Sequence, residues 1–332
     1  MRADRLLHAV ESGALVVPAQ GRIAIFGPAA PQDLTVFPRD RVQVVTRQRL
    51  DHDAFMAAGY DVVDKAAAGA AMALVCASRA RVATQALVAD AVASLGPLGT
   101  LVLDGQKTDG IDTLIRAVSA RAMVGDPVIK AHGRLVVVGP GVEVADWTAA
   151  PTMVEGSFVT RPGVFSADGP DPASVLLAEV LPEKLGARVV DLGAGWGYLS
   201  RAILARDTVQ HLDLVEADGV ALDCARENIT DLRAHFHWAD ALSFKPTAPA
   251  HAVICNPPFH TTRDADPALG AAFIRAAQRM LAAEGTLWLV ANRHLPYDAV
   301  LAAAFREVTD IDGTKAYRLI RASRPHRPTK TN

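Results

Sequence analysis

The sequence predicts an α/β protein of two tandem doubly wound domains, the second built on a seven-stranded mixed sheet. Three observations carry this reading. Short apolar runs alternate with helical stretches through the second half of the chain, and a fainter version of the same rhythm runs through the first half. Between them lies a segment from about Gly139 to Pro170 that holds Pro140, Pro151, Pro162, Pro170 and several glycines. Strands alternating with helices imply a parallel sheet covered on both faces, the Rossmann-like arrangement, and a proline- and glycine-rich stretch reads as a linker. The predicted division is 1–150 for the first domain, 151–322 for the second, and 323–332 for a basic, proline-punctuated tail whose composition reads as disordered.

In the second half, Arg188–Leu192 is a strand that ends at a glycine turn, and Tyr198–Ala205 continues as a helix. His211–Glu216 is the next strand, Gly219–Asn228 has helical spacing, and Phe236–Asp240 is a short third strand. Ala250–Cys255 is a fourth strand, Ala268–Leu281 an amphipathic helix, and Gly285–Asn292 a fifth strand. Val308–Ile311 and Lys315–Ile320 read as a closing hairpin, hence an antiparallel edge. In the first half, Arg22–Gly27, Val42–Thr46, Ala73–Ala77, Gly99–Asp104 and Leu135–Gly139 are candidate strands, with helices over Val82–Ser94 and Ile111–Arg121. The first half reads as a degenerate copy of the second. Its first strand ends in Gly27-Pro28-Ala29-Ala30-Pro31, whose prolines make a poor ligand cradle, and its fourth candidate ends in Cys76-Ala77-Ser78-Arg79.

Composition sets outer limits. The 332 residues are half hydrophobic, enough for two cores, and a net charge of −2 offers no overall basic field to a nucleic acid. Cys76, Cys224 and Cys255 are scattered singly among apolar residues, the pattern of buried reduced thiols; neither a disulfide frame nor a metal site is expected. No apolar stretch approaches the ~18–20 residues of a membrane span, and no apolar core of signal-peptide length follows Met1–Arg5. A soluble, cytoplasmic monomer is expected.

Two motifs carry the chemistry. Asp191-Leu192-Gly193-Ala194-Gly195-Trp196-Gly197 places glycines at 193, 195 and 197 between a strand and a helix. Glycine lets the backbone turn sharply and approach a ligand, and the following helix N-terminus offers free N–H groups. A dinucleotide fold would space the glycines G-x-G-x-x-G and hold pyrophosphate there; here the third glycine comes one residue early. Asp191 beside the turn suits a ligand with a cationic ammonium, and S-adenosylmethionine carries one along with a positive sulfonium. Glu216 ends the second strand, where a carboxylate can accept both ribose hydroxyls, and Asp240 follows the third, where it can accept from an adenine amino group. Acids at three successive strand ends match the rule that ligands sit at the carboxyl edge of an open sheet.

Asn256-Pro257-Pro258-Phe259 follows the fourth strand on that same edge. An amino group conjugated to a ring is a poor nucleophile because its lone pair is delocalised. The Asn256 side-chain oxygen and the Pro257 carbonyl can each accept one of its N–H bonds, pulling the nitrogen towards tetrahedral geometry. The prolines stiffen the turn so that the acceptors are in place before substrate arrives, and Phe259 can stack on a flat base. Asn256, Pro257 and Phe259 are therefore the catalytic candidates, with Asn256 also facing the cofactor. Pro258, Phe259 and His260 are candidates for substrate contact.

With these residues in hand, the C-terminal half resembles the bacterial small-subunit ribosomal RNA guanine-N2 methyltransferases, enzymes built from two tandem methyltransferase-like domains. The likeness runs roughly from 155 to 322. It rests on Pro162-Gly163-Val164-Phe165-Ser166 with Asp168-Gly169, the turn at 191–197, Asn256-Pro257-Pro258-Phe259-His260, and Ala291-Asn292-Arg293-His294-Leu295-Pro296-Tyr297. The glycine turn is shared by most class I methyltransferases, whereas the last two segments are specific to this family. The resemblance implies S-adenosylmethionine as cofactor, ribosomal RNA or the small ribosomal subunit as partner, and a first domain that supports RNA binding or folding. It also places Phe165 at the entrance over cofactor and base, and Lys315, Tyr317 and Arg318 in the final strand pair. The first half matches only weakly, around Asp104–Gly110 and Ala131–Arg134.

An RNA substrate predicts a local basic face, with Arg161, Arg263, Arg293, Arg324, Arg327 and Lys330 as candidates, joined by Lys107, Lys130 and Arg134 from the first half. A paired guanine must be exposed or flipped to reach the clamp. The competing readings are a methyltransferase for a protein glutamine amide, one for another RNA base, and a non-catalytic RNA-binding assembly factor. Alternating strands in 22–138 argue against the first, whose family has a helical N-terminal domain, and the intact glycines with Asn256 argue against the last.

Overall fold

Runs of valine, isoleucine, leucine and alanine become the central strands of two separate sheets, one in each unit of the computed structural model, Met1–Pro151 and Thr152–Asn332. The structure describes residues 2–258 and 267–326. The first unit comprises α1 (Arg2–Glu11), β1 (Ile23–Phe26), β2 (Val42–Val45), α2 (Arg49–Ala57), β3 (Asp61–Val63), β4 (Ala70–Cys76), α3 (Arg81–Ser94), β5 (Leu95–Gln106), α4 (Ile111–Ser119), β6 (Val128–Lys130) and β7 (Gly133–Val138). Its sheet runs in the order β3-β2-β1-β4-β5-β7-β6, with β7 antiparallel to both β5 and β6. Every residue of β1 and β2 is buried, as expected of parallel strands covered on both faces. In α1 the fully buried Arg5 donates from Nε to Asp104 at 2.6 Å and from Nη1 to the Lys130 carbonyl at 2.8 Å. These two bonds offset part of the desolvation of the pair, and Arg5 Nη2 is left without a hydrogen-bond partner among the described residues.

The second unit opens with a hairpin, β8 (Thr152–Val154) and β9 (Phe158–Thr160), and continues α5 (Pro172–Val180), β10 (Arg188–Leu192), α6 (Tyr198–Leu204), β11 (His211–Glu216), α7 (Gly219–Asn228), β12 (Ala234–Trp238), β13 (Ala250–Cys255), α8 (Pro267–Met280), β14 (Leu281–Asn292), α9 (Asp298–Ala304), β15 (Phe305–Gly313) and β16 (Tyr317–Pro325). The order β12-β11-β10-β13-β14-β16-β15 repeats that of the first unit strand for strand. β10 pairs in parallel with β11 and β13, and β16 is antiparallel between β14 and β15. One face of the sheet packs Leu192, Val253 and Leu289 against Phe273 and Ile274 of α8. The other packs Val189, Leu214 and Ile254 against Leu177 of α5 and Ile203 of α6.

Three differences from the sequence reading stand out in the second unit. The segment read as a loop-like linker contains the β8–β9 hairpin, because Phe158, Val154 and Val164 bury against Trp196. Asp171 begins α5, a helix absent from the reading. The tail assigned from 323 begins later, since Ser323, Arg324 and Pro325 belong to β16, where Ser323 pairs with Thr286 and Glu307. The three cysteines are buried and free. Among the described residues no helix is long and apolar enough to cross a membrane.

Candidate active site

Because β10, β11, β12 and β13 are parallel, their carboxyl ends share one edge of the second sheet, and the glycine turn, Glu216, Asp240 and Asn256 all follow from those ends. The turn is pinned by the Val215 carbonyl, which accepts from Gly193 N at 2.9 Å and Ala194 N at 3.0 Å. All three glycines have positive φ, yet they do different things. A Cβ on Gly195 would project into open space, so that position is a cradle kept clear. A Cβ on Gly197 would lie 2.8 Å from Ile229 Cδ1, so Gly197 serves the seating of α6 against its neighbour. Gly193, at φ +84, has only Phe273 near it.

Asp191 lies beneath the turn, wholly buried. Its Oδ2 accepts from Ser200 Oγ at 2.5 Å, and its Oδ1 has no hydrogen-bond partner among the described residues. Burial pushes the carboxyl up to about 7, the Ser200 bond opposing and the nearby Glu216 charge adding. A buried carboxylate with an open oxygen is an unmet acceptor, which fits a cationic ligand arriving at this turn. Glu216 folds back across the turn: Oε2 accepts from Gly195 N and Oε1 from Asp218 N, both at 2.8 Å. Burial raises its carboxyl while these two bonds act against the rise. Asp240 Oδ1 accepts from Leu242 N at 2.9 Å and so shapes the turn after β12.

A cavity opens beside the turn, lined by Phe165, Ser174, Gly193, Gly195, Trp196 and Asn256 among others. Asp191, Glu216, Asp240 and Gly197 are not among the residues that line it. Phe165 stands 60% exposed among the residues that line it. The Phe165 carbonyl accepts from Trp196 Nε1 at 3.0 Å, which ties the 161–169 loop to the glycine turn. Pro257 is buried and Pro258 exposed. Phe259, His260 and Arg263 lie outside the described residues, as do Arg327 and Lys330.

Asn256 is held from behind. Its Nδ2 donates to Asp171 Oδ2 and to Ser174 Oγ, each at 2.9 Å. Neither partner figured in the sequence reading. The signal was there: Asp171-Pro172-Ala173-Ser174 is an N-cap acid with proline at the first helical position, and Asp171 Oδ2 does accept from Ser174 N at 2.9 Å.

Several candidates for the basic face are already occupied within the second unit. Arg161 pairs with Glu227 at 2.6 Å, Arg324 with Glu284 and Glu307, and Arg293 donates to the Thr314 and Tyr317 carbonyls. In the first unit Arg134 pairs with Asp112 at 2.6 Å. Arg318 bridges Asp298 and Asp310, which makes it a brace of the antiparallel edge.

The methyltransferase small domain model matches residues 155–321, half of the chain. The chain belongs to the methyltransferase small domain family. Among its relatives, the ribosomal RNA large subunit methyltransferase G of Ectopseudomonas mendocina is 31% identical over 201 residues, covering 58% of this chain and 54% of the relative. The corresponding Pseudomonas entomophila protein is 32% identical over 170 residues, with 46% of its length covered. The chain thus spans about half the length of these large-subunit relatives. The ribosomal RNA small subunit methyltransferase C of a Shewanella species is 26% identical over 249 residues, 71% of this chain and 70% of the relative. A solved structure of the T. thermophilus 16S rRNA methyltransferase RsmC, in complex with AdoMet and guanosine, superposes with a TM-score of 0.80 at 24% identity, covering 97% of this chain and 91% of that one. At that identity the likeness shows the fold: two tandem Rossmann-like domains. The methyltransferase small domain itself coincides with the unit that carries the glycine turn and Asn256.

Proposed function

We propose that this chain is an S-adenosylmethionine-dependent methyltransferase acting on the exocyclic 2-amino group of a guanine in ribosomal RNA, that of the small subunit, as a cytoplasmic monomer. The C-terminal unit carries the chemistry, and the N-terminal unit supports RNA binding. One observation carries the reading: an asparagine amide with both N–H bonds spent stands at the rim of a cavity whose other wall is a cleared glycine cradle. S-adenosylmethionine, when bound, supplies a methyl group on a cationic sulfur, which passes to the nitrogen as the carbon–sulfur bond breaks and an N–H proton leaves to water. Asp191, Gly193, Gly195 and Glu216 would hold it, with Asp240 at the adenine end. Asn256 Oδ1 and the Pro257 carbonyl accept from the amino group and orient its lone pair. Phe165, with Pro258, Phe259 and His260, covers the base, and Arg263 meets phosphate. Catalysis of this kind is mainly alignment, worth up to ~7–11 kcal/mol.

The small-subunit target is favoured because those relatives align along 71% of this chain, against 58% or less for the large-subunit ones. The higher identity of the large-subunit relatives supports that RNA as the second reading. The test is tritiated S-adenosylmethionine with unmodified small-subunit particles, large-subunit particles, tRNA and total protein, followed by nucleoside analysis. Label recovered as N2-methylguanosine from small-subunit RNA is expected. Label only in large-subunit RNA selects the second reading, and label in protein overturns both. Asn256→Ala should remove turnover and leave cofactor affinity near that of the parent.

A further inference from the structure

We infer that Asp171 and Ser174 are positioning residues that lock the Asn256 amide with its oxygen facing the acceptor, so that the site admits only a hydrogen-bond donor at the methylated atom. The inference rests on the function proposed above. An asparagine amide is ambivalent: rotated by half a turn, it presents two donors in place of an acceptor. Here the choice is forced, because the Asp171 carboxylate can only accept, and so the amide nitrogen must face it. Asp171 Oδ2 lies 2.9 Å from Asn256 Nδ2, and Ser174 Oγ lies 2.9 Å from the same nitrogen. Both N–H bonds are thereby used, and Oδ1 is the one amide atom left for a ligand.

The lock is anchored in the helix itself. Asp171 is the N-cap of α5, its Oδ2 also accepting from Ser174 N at 2.9 Å, and Ser174 is buried. The first turn of α5 thus holds the catalytic amide across 85 residues of sequence. A flipped amide would aim two N–H bonds at an amino group and repel it. A ring nitrogen or carbonyl oxygen, by contrast, is refused by the observed orientation, since neither can donate to Oδ1.

The experiment uses full-length protein labelled with [15N]asparagine, which gives four side-chain amide signals, from Asn228, Asn256, Asn292 and Asn332. An Asn256→Ala spectrum assigns the Asn256 pair. In the parent, exchange of that pair with solvent protons should be slow, and Asp171→Ala and Ser174→Ala should each speed it. In parallel, turnover is measured with tritiated S-adenosylmethionine and unmodified small-subunit particles. Asp171→Ala should lower kcat ~100-fold, the scale of a misplaced reacting group, and Ser174→Ala roughly tenfold, while S-adenosylhomocysteine affinity holds and the thermal midpoint of Asp171→Ala falls only by the loss of its helix cap. Asp171→Asn keeps the cap and an acceptor oxygen at the shared position, so it should restore most of the rate and the slow exchange. Unchanged kcat in both alanine variants overturns the inference, as does an Asn256 signal that is insensitive to them. A rate loss that merely tracks cofactor affinity or thermal midpoint also overturns it. If the parent methylates no RNA, the functional reading fails while the amide signals still decide the lock.

Discussion

Replacing Asp191 with asparagine should stabilise the ligand-free protein, and by an amount that grows with pH. The native carboxyl is raised from 3.8 to about 7, chiefly by burial. Between those values the native group keeps its proton while the unfolded one has lost it. The unfolded state therefore binds fewer protons, and stability falls as pH rises through this window, levelling off above pH 7. At ~1.4 kcal/mol per pH unit, the cost carried by Asp191 is about 4 kcal/mol at pH 8 and about 2 kcal/mol at pH 5. Asparagine removes this dependence and keeps an oxygen for the Ser200 hydroxyl. Its own penalty, a buried NH2 group needing a partner, is the same at both pH values and drops out of the comparison. Urea unfolding followed by tryptophan fluorescence reports mainly the second unit, which holds Trp196, Trp238 and Trp288 against Trp147 in the first. The stability difference between Asp191→Asn and parent should be about 2–3 kcal/mol more favourable to the variant at pH 8 than at pH 5. An equal difference at the two pH values would refute the argument that Asp191 is held at its position against its own ionisation.

Three further outcomes follow from the same geometry. If a cationic ligand draws the Asp191 proton off, S-adenosylhomocysteine affinity measured by calorimetry should weaken below pH 7, about 30-fold by pH 5.5, and this acid limb should be missing in Asp191→Asn. Trp196→Phe removes the indole N–H that holds the Phe165 carbonyl and leaves a void beside Phe158, so hydrogen exchange over 161–169 should accelerate and the unfolding midpoint should fall. Gly270→Ala tests packing against propensity: alanine favours the helix by ~1 kcal/mol, but its Cβ would fall on the hydroxyl end of the Tyr297 side chain, which is 1% exposed and has nowhere to go. Overpacking should win, with a net loss of stability on the order of 1–3 kcal/mol by the same unfolding assay.

The parallel core was legible because burial on both faces leaves continuous apolar runs: Val189-Val190 and Ala252-Val253-Ile254-Cys255 admit few other readings. What escaped lies where the pattern is short or supplied from elsewhere. β3 is three residues, Asp61–Val63, too brief to show a period. Of the apolar residues in β8 and β9 only Val154 and Phe158 are buried, and the hairpin is stable because Trp196 receives them from a distant stretch of sequence. The site divides in the same way. Gly195 and Asn256 could be found from their own motifs, since local backbone freedom and amide chemistry are written at one position. Asp171 and Ser174 could not be assigned to the site, because their bond to Asn256 spans 85 residues and only the helix-capping half of their role is local. Glu216 was read as an acceptor of ribose hydroxyls, and the structure adds that it also accepts from Gly195 N and Asp218 N, the first bond being available only once β10 and β11 lie side by side.

The place of β16 between β14 and β15 has a consequence for how the second unit comes into being. β16 is the last of these strands to be synthesised, yet it lies inside the sheet and supplies the antiparallel partners of both its neighbours. Until it arrives, β14 shows the solvent a bare hydrogen-bonding edge over Thr286–Asn292, and β15 has nothing to pair with. A chain cut before Tyr317 is therefore left with an open template for association with its own copies. The sheet is complete only once Tyr317–Pro325 has been made, and a chain stalled or clipped before Tyr317 would associate with its own copies through that edge.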